Sequence, residues 1–400
     1  MHSTEIAGKI KRTLESSGGI LFAEPTIVYR NTYSGRGLLA DNTSFSSPAA
    51  DSRGYLPVER WVMSACEAAN PTPESGEGLS EVVLNDGTRC AFRDAVGRCA
   101  DVLLAEFPPS AWPLVKVLDI GGEPVSPDFH DGMEAPPIPP HIHPGPIVNG
   151  RPLKPGKLEA YFFPPTDLPP YNCRPDSVVT RLGLRPGVKQ EEVLEAIRLF
   201  GRSDALYSLL TAYPIRPREG WLIPPGVVHS PGPWVTIEIQ TPQDDYNLLA
   251  WQLGSRLSEP ELSLKLADSA LRGLPDAEAL LGAIDWTSST APDFRDRYRR
   301  LPELAEEGGW GRRHRVFFDP FDGDLLELEP GSTYSLPARG RPAAALVWSG
   351  SGTANGLRVE SGLERGSEFF LAPERGLALQ NGGASPLALF LFYPMAASRA

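Results

Sequence analysis

Residues 139–163 read PPHIHPGPIVNGRPLKPGKLEAYFF, and residues 220–230 read GWLIPPGVVHS. Both stretches place histidines among proline and glycine turns and short apolar runs. His141 and His143 are two positions apart, so an extended backbone points both imidazoles to one face. His229 follows a Pro-Pro-Gly turn at the start of another apolar run. The pattern indicates short strands that carry the side chains of a metal site.

Lys157 and Glu159 add two charged side chains to this pattern. In a strand they share one face, while Leu158, Ala160 and Phe162 lie on the other. Three imidazoles and one carboxylate suit zinc, and equally iron, manganese or nickel. A His-x-His pair also arises often by chance, but three of the six histidines lie in these two stretches. Their concentration favours a metal site over scattered histidines.

The motifs HIHP, GKLE and GWLIPPGVVH resemble those of the type I mannose-6-phosphate isomerases, a family of the cupin superfamily. In that family a Gln, a His, a Glu and a later His in these motifs bind zinc. The resemblance implies His141, His143, Glu159 and His229 as the ligands here. His141 takes the place of the family's Gln. Because an imidazole nitrogen is at least as good a zinc ligand, the site is expected to survive with a shift in metal preference.

Three further segments follow the order of the family. They are LPVERWVMS at 56–64, WPLVKVLDI at 112–120 and VTIEIQTPQDDYNLLAW at 235–251. The resemblance implies a mainly β fold with helical insertions, consisting of two cupin (jelly-roll-like β-barrel) domains plus a helical segment. Along 235–240, apolar and polar residues alternate, so Glu238 and Gln240 either line the cavity of a barrel or face solvent.

The implied domain organisation has three parts. Residues 1–254 form a metal-binding cupin domain with a helical insert at about 187–213. Residues 255–310 form a helical linker, and residues 311–400 form a second cupin-like domain. The second domain cannot repeat the metal site because His314 is the last histidine. Apolar periodicity and capping residues predict helices at 5–14, 89–107, 188–201, 203–213, 258–271 and 276–284.

The activity that the resemblance implies is aldose–ketose isomerisation, between mannose 6-phosphate and fructose 6-phosphate or a related sugar, through an enediol. A metal ion with open positions can polarise the sugar oxygens, and a base must move a proton between two carbons. The resemblance makes Lys157 the first choice for base or electrostatic partner and Glu238 the second. Lys116, Glu59 and Arg256 are then substrate-binding residues.

Two departures from the family bear on the substrate. Asn247 stands where the family has an Arg after a Tyr, and Arg256 lies a few residues beyond the position of the next family Arg. Arg is the residue best shaped to bind phosphate, so these changes weaken the case for a phosphorylated sugar. Two alternatives stay open: a non-haem iron cupin oxygenase, which three His and one Glu also suit, and a non-catalytic sugar-binding cupin.

Composition narrows the range of partners. The formal net charge is −12 and the pI is about 5.1, which disfavours binding to nucleic acid or anionic membranes. The four cysteines show no Cys-x-x-Cys spacing, and no apolar run reaches the ~18 residues of a membrane span. The N-terminus lacks the apolar core of a signal peptide. We expect a cytoplasmic protein whose partner is a small-molecule sugar or sugar phosphate.

Overall fold

The computed structural model describes residues 3–33, 35–39, 50–121, 137–145, 147–148, 151–152, 155–166, 178–251 and 273–396. Strands dominate. Up to residue 248 they are β1 Ile20–Glu24, β2 Thr26–Arg30, β3 Leu56–Val62, β4 Glu81–Val83, β5 Arg89–Ala91, β6 Leu114–Leu118, β7 His141–Ile142, β8 Ile147–Val148, β9 Arg151–Pro152, β10 Glu159–Phe162, β11 Val179–Leu184, β12 Leu210–Pro214, β13 Gly220–Ile223, β14 His229–Ser230, β15 Thr236–Gln240 and β16 Asn247–Leu248.

Eleven more strands form the C-terminal part. They are β17 Arg299–Arg300, β18 Glu303–Gly308, β19 Gly311–Phe317, β20 Gly323–Leu328, β21 Thr333–Leu336, β22 Ala343–Ser349, β23 Ser351–Ala354, β24 Leu357–Glu360, β25 Glu368–Leu371, β26 Leu377–Asn381 and β27 Leu387–Phe392. The prediction of a mainly β fold with helical insertions is confirmed.

The strands pair into antiparallel sheets that face each other in two units. In the first unit, a seven-stranded sheet of order β17-β13-β10-β15-β6-β3-β2 faces a five-stranded sheet of order β12-β11-β14-β7-β16. In the second, a nine-stranded sheet of order β18-β19-β20-β27-β22-β25-β1-β4-β5 packs on a four-stranded sheet of order β21-β26-β23-β24. Strands β8 and β9 form a separate hairpin. Polar side chains of the first unit are buried between its two sheets.

The nine-stranded sheet contains strands from both ends of the chain. Ile20 in β1 pairs with Leu371 in β25, and β1 continues the sheet through β4 to β5. Segments assigned from sequence to the first domain therefore complete a sheet of the second unit. The division of the chain at residues 254 and 310 stays a prediction.

The two units share one apolar core. The Phe162 ring lies 6.2 Å from the Phe317 ring and 5.8 Å from the Phe390 ring, between centroids. A buried ion pair also crosses this junction, because Arg60 Nη2 lies 2.8 Å from Glu368 Oε2 with both side chains at most 5% exposed. The outer face of the seven-stranded sheet is therefore packed against the second unit.

Helices cover the ends and edges of the sheets. They are α1 Ser3–Ser16, α2 Phe92–Leu103, α3 Gln190–Arg198, α4 Ala205–Leu209, α5 Ala277–Gly282, α6 Trp286–Ser289 and α7 Phe294–Tyr298, with a 3₁₀ turn at Pro109–Ala111.

The helix predicted at 203–213 is wrong in its second half, because residues 210–214 pair with β11 as strand β12 instead of continuing the helix. The predicted helix at 258–271 lies outside the described residues. Among the helices described, none is both long enough and apolar enough to cross a membrane.

Candidate metal centre

Strand pairing within the five-stranded sheet brings the three histidines together. His141 in β7 lies directly opposite His229 in β14, and their ring centroids are 4.1 Å apart. The His143 ring lies 4.8 Å from that of His141 and 5.0 Å from that of His229. Candidate ligand atoms of the three side chains lie within 4.8 Å of one another. All three imidazoles are buried, so they form one compact cluster of nitrogen donors.

Glu159 reaches this cluster from the facing sheet. It begins β10 and is fully buried. Its Oε1 lies 3.0 Å from Nε2 of His229, and its Oε2 lies 3.5 Å from Nε2 of His143. The structure thus brings together all four side chains that the sequence predicted as ligands, two sheets contributing to one centre.

The hydrogen bonds of the imidazoles leave nitrogens directed at the centre. Nδ1 of His141 is 2.7 Å from the Pro139 carbonyl oxygen, and Nδ1 of His229 is 2.8 Å from that of Val227. A carbonyl only accepts, so each Nδ1 carries the proton and each Nε2 keeps its lone pair. Nε2 of His229 and both ring nitrogens of His143 have no hydrogen-bond partner in the part of the chain that the structure describes. Buried polar atoms rarely lack partners, and this donor set fits a divalent metal ion.

The charge states of the cluster suit metal binding. Burial, and secondarily the ammonium of Lys157, holds the pKa of His141 and His143 well below that of a free imidazole. Burial alone would raise the pKa of Glu159, but Lys157 and His143 hold it well below its usual value. Metal ions bind neutral imidazole and ionised carboxylate, and these are the favoured forms here.

Two glycines allow the chain to approach the centre closely. A Cβ on Gly156 would lie 2.0 Å from the carbonyl oxygen of His143, so only glycine lets these two segments pack together. Gly226, in the Pro-Pro-Gly turn before His229, has a φ of +75° and accepts a 2.9 Å hydrogen bond from the Asp285 backbone N–H. Both glycines belong to the motifs that carry the ligands.

Lys157 and Glu238 lie beside the cluster. Lys157 Nζ is 2.5 Å from Oε2 of Glu159, 3.4 Å from Oε1 of Glu238 and 3.2 Å from Oε1 of Gln240. Burial would lower the pKa of Lys157, but the carboxylates of Glu159 and Glu238 outweigh burial and raise it. Burial raises the pKa of Glu238 despite Lys157. Glu238 and Gln240 are buried, so the alternative that they face solvent is wrong.

A second charged network continues from Glu238 along the floor of the cleft. Lys116 lies opposite Glu238 in the sheet, and its Nζ is 3.7 Å from Glu238 Oε1, 3.6 Å from Glu59 Oε2 and 2.9 Å from Asp244 Oδ1. Arg30 forms ion pairs with Glu59 and Asp244, each at 2.9 Å. Lys116 and Glu59, both predicted from the sequence, therefore lie in the same cleft as the cluster. Arg256 lies outside the described residues.

Sequence reasoning did not identify four residues of this site. Tyr161, whose hydroxyl donates to Glu159 Oε1, lies two positions beyond Glu159 and could have been found by strand alternation. Asp244 and Asp245 lie within the quoted segment 235–251, where no role was assigned to them. Arg30 comes from a distant strand and had no local pattern to reveal it.

Comparison with known proteins places this geometry in a known fold. No protein-family model and no curated protein sequence matches the chain. Solved structures do match, and each comparison covers 94% of this chain. A putative mannosephosphate isomerase from Archaeoglobus fulgidus has a TM-score of 0.59 at 14% identity over 98% of its length. The mannose 6-phosphate isomerase from Bacillus subtilis has a TM-score of 0.57 at 13% identity over 99% of its length.

A third match is a mannose 6-phosphate isomerase bound with zinc and yttrium, with a TM-score of 0.56 at 12% identity over its whole length. These identities are low, whereas the overlap extends over nearly the whole of each chain. The cupin prediction is confirmed at the level of the fold. The chain has a divergent mannose-6-phosphate-isomerase-like fold.

Proposed function

We propose that this protein is a metal-dependent aldose–ketose isomerase of carbohydrate metabolism, which interconverts mannose 6-phosphate and fructose 6-phosphate or a related sugar. One observation carries the proposal: His141 and His143 of the buried His₃Glu donor set line the same cleft as Glu238, a carboxylate of raised pKa. Isomerisation needs a group that stabilises charge on two sugar oxygens and a base that moves one proton. The fold, shared with mannose-6-phosphate isomerases, agrees with this assignment.

His141, His143, Glu159 and His229 would hold the metal ion. When bound, a divalent ion polarises the carbonyl and hydroxyl oxygens of the sugar. Zinc is the first candidate, since three imidazoles and a carboxylate suit it and a protein of the same fold binds it. Iron, manganese and nickel are the alternatives that this donor set also accepts.

Glu238 is the residue that we assign to proton transfer. The pKa of Glu238 is raised toward neutral pH, and a general base is most effective when its pKa lies near the working pH. The proton on C2 of the aldose moves to Glu238 and then to C1, while the hydroxyl proton moves from O2 to O1. The product is an isomer, so no oxidant is needed.

Lys157 is better suited to stabilising charge than to accepting a proton. Its raised pKa keeps the ammonium protonated, and its contacts to Glu159 and Glu238 hold it at the edge of the cluster. From there it can donate a hydrogen bond to the enediol oxygen that gains negative charge. Lys116 and Glu59 would position the sugar from the floor of the cleft.

The test is turnover of an aldose and aldose-phosphate panel by metal-replete protein. Glu238→Gln should lower kcat by ~10²–10⁴-fold with metal content unchanged. His229→Ala should lose both metal and turnover. Glu303, an exposed residue of β18, provides the matched control, and Glu303→Gln should leave kcat unaltered. Full activity in Glu238→Gln would refute its assignment, and no wild-type turnover on any sugar would refute the proposed activity.

The third imidazole, His141, favours one alternative, because three His and one Glu also suit a non-haem iron oxygenase. Oxygen consumption by iron-loaded protein in the presence of an organic substrate would support that function over isomerisation. A sugar-binding protein without activity would keep its metal and bind sugars, yet turn over no member of the panel.

A further inference from the structure

We propose that Tyr161 is a positioning residue, which holds the carboxylate of Glu159 in place for the metal ion. The inference deepens the proposed function, because it rests on the metal centre of that function and not on the identity of the sugar. It is carried by one contact: the phenol hydroxyl of Tyr161 donates a hydrogen bond to Oε1 of Glu159.

Strand β10 places Tyr161 beside the ligand. Tyr161 follows Glu159 by two positions, so both side chains lie on the face of the strand that is directed at the histidines. The ring centroid of Tyr161 lies 6.4 Å from that of His229. The side chain of Tyr161 is 1% exposed, and its backbone pairs with Trp221 of β13 on one side and Glu238 of β15 on the other. The hydroxyl therefore reaches Glu159 from a position that the sheet fixes.

Each oxygen of the Glu159 carboxylate has one hydrogen-bond donor and one imidazole beside it. Oε1 accepts from the Tyr161 hydroxyl and lies 3.0 Å from Nε2 of His229. Oε2 lies 2.5 Å from Nζ of Lys157 and 3.5 Å from Nε2 of His143. The terminal torsion of a glutamate has only weak preferences of its own, so the two donors set the plane of this carboxylate.

The two donors differ in charge, and this difference gives Tyr161 its role. The ammonium of Lys157 attracts Oε2 and repels a divalent cation, so it competes with the metal ion for the carboxylate. A phenol hydroxyl donates a hydrogen bond without adding positive charge. Without that hydroxyl, Lys157 would be the stronger influence on Glu159, and the carboxylate would be free to turn toward the ammonium and away from the imidazoles.

The measurement is the zinc affinity of chelator-treated protein, determined by competition with a chromophoric chelator. Tyr161→Phe deletes the hydroxyl and keeps the ring. Loss of a group that hydrogen-bonds to a metal ligand typically weakens metal binding by about 10–100-fold, and we expect a loss of that size here. The visible absorption spectrum of the cobalt-loaded variant should also differ from that of wild type, because the spectrum reports the arrangement of the ligands.

Tyr334→Phe is the matched control. The hydroxyl of Tyr334 donates a 2.7 Å hydrogen bond to Oε2 of Glu306, so this variant loses the same kind of contact in the second unit. Its zinc affinity and its cobalt spectrum should equal those of wild type.

A merely structural role for Tyr161 predicts a different result. Tyr161→Phe would then lower the melting temperature of the metal-free protein while its zinc affinity and cobalt spectrum stayed unchanged, and that outcome would overturn the inference with the metal centre intact. Failure of the wild-type protein to bind zinc, iron, manganese or nickel would overturn the metal centre of the proposed function as well. Turnover of sugars does not enter this readout.

A second pair of variants tests whether Tyr161 acts through Glu159. Glu159→Ala removes the carboxylate, so removing the Tyr161 hydroxyl from this background should weaken zinc binding no further. We expect equal affinities in Glu159→Ala and in the double variant, whether or not Tyr161→Phe folds by itself. A further loss of about tenfold in the double variant would show that Tyr161 acts by another route, and the inference would fail.

Discussion

Removal of the metal ion should destabilise the protein by an amount that the buried donor atoms allow us to estimate. Within the described residues, Nε2 of His229 and both ring nitrogens of His143 have no hydrogen-bond partner. A buried polar group left without a partner costs about 1–3 kcal/mol. A bound metal ion satisfies the nitrogens that ligate it. Removing the ion should therefore lower the free energy of unfolding by a few kcal/mol.

The linkage between metal binding and folding gives a second estimate of this stabilisation. A ligand that binds only the folded state stabilises it by about 2.7 kcal/mol when the free ligand is at about 100 times its dissociation constant. Unfolding entropy of ~2.1 cal/mol/K per residue over 400 residues amounts to ~0.8 kcal/mol/K. Dividing the stabilisation by the unfolding entropy predicts that metal binding raises Tm by about 3 °C.

Calorimetry of chelator-treated protein, titrated with zinc, measures this shift, and metal analysis measures the stoichiometry. His229→Ala should abolish the shift. His314→Ala is the matched control, since His314 is the one histidine of the described chain outside the cluster, and its shift should equal that of wild type. A shift of equal size in His229→Ala would place the ion elsewhere and refute the reasoning.

Three further predictions follow from the same contacts. Burial raises the pKa of Glu238, so the acidic limb of the plot of kcat against pH should lie above pH 4.5. Activity should fall as the pH drops, because the base becomes protonated. Glu238→Gln should lose that limb. Glu368→Ala leaves Arg60 buried without its partner and should cost about 3–5 kcal/mol in urea denaturation; a loss below about 1 kcal/mol would contradict this. Gly156→Ala places a Cβ 2.0 Å from the His143 carbonyl oxygen and should weaken metal affinity about tenfold or more by titration, whereas unchanged affinity would show that the segments can separate.

Local pattern predicted the shared strand faces on which the residues of the candidate metal centre lie. The two-residue spacing of His141 and His143, and of Lys157 and Glu159, predicts a shared face because side chains alternate along a strand. The structure brings these four residues together with His229. The rule would have added Tyr161 had it been applied one step further.

Local pattern failed where the pairing partner lies far along the chain. Residues 210–214 contain apolar residues compatible with a helix, but hydrogen bonds to β11 make them a strand. Strand β1 pairs with β25, near the other end of the chain, and no local pattern reveals that partner. Tertiary hydrogen bonding therefore decides which structure residues 210–214 adopt and where β1 packs.

The same limitation affects the charged network beside the candidate metal centre. Arg30 and Asp244 are separated by 214 residues, and neither stands in a motif that reveals its partner. Their contact depends on β2 and β6 joining opposite edges of β3 in the seven-stranded sheet, with Lys116 of β6 reaching the same carboxylate. The sequence could therefore show that Asn247 stands where the resemblance leads us to expect an Arg, but not that Arg30 and Lys116 are bound to carboxylates. The spacing of the candidate ligands lies in short motifs, whereas the charged network beside them depends on pairing between strands that are distant in the sequence, so only the ligands can be found from local pattern.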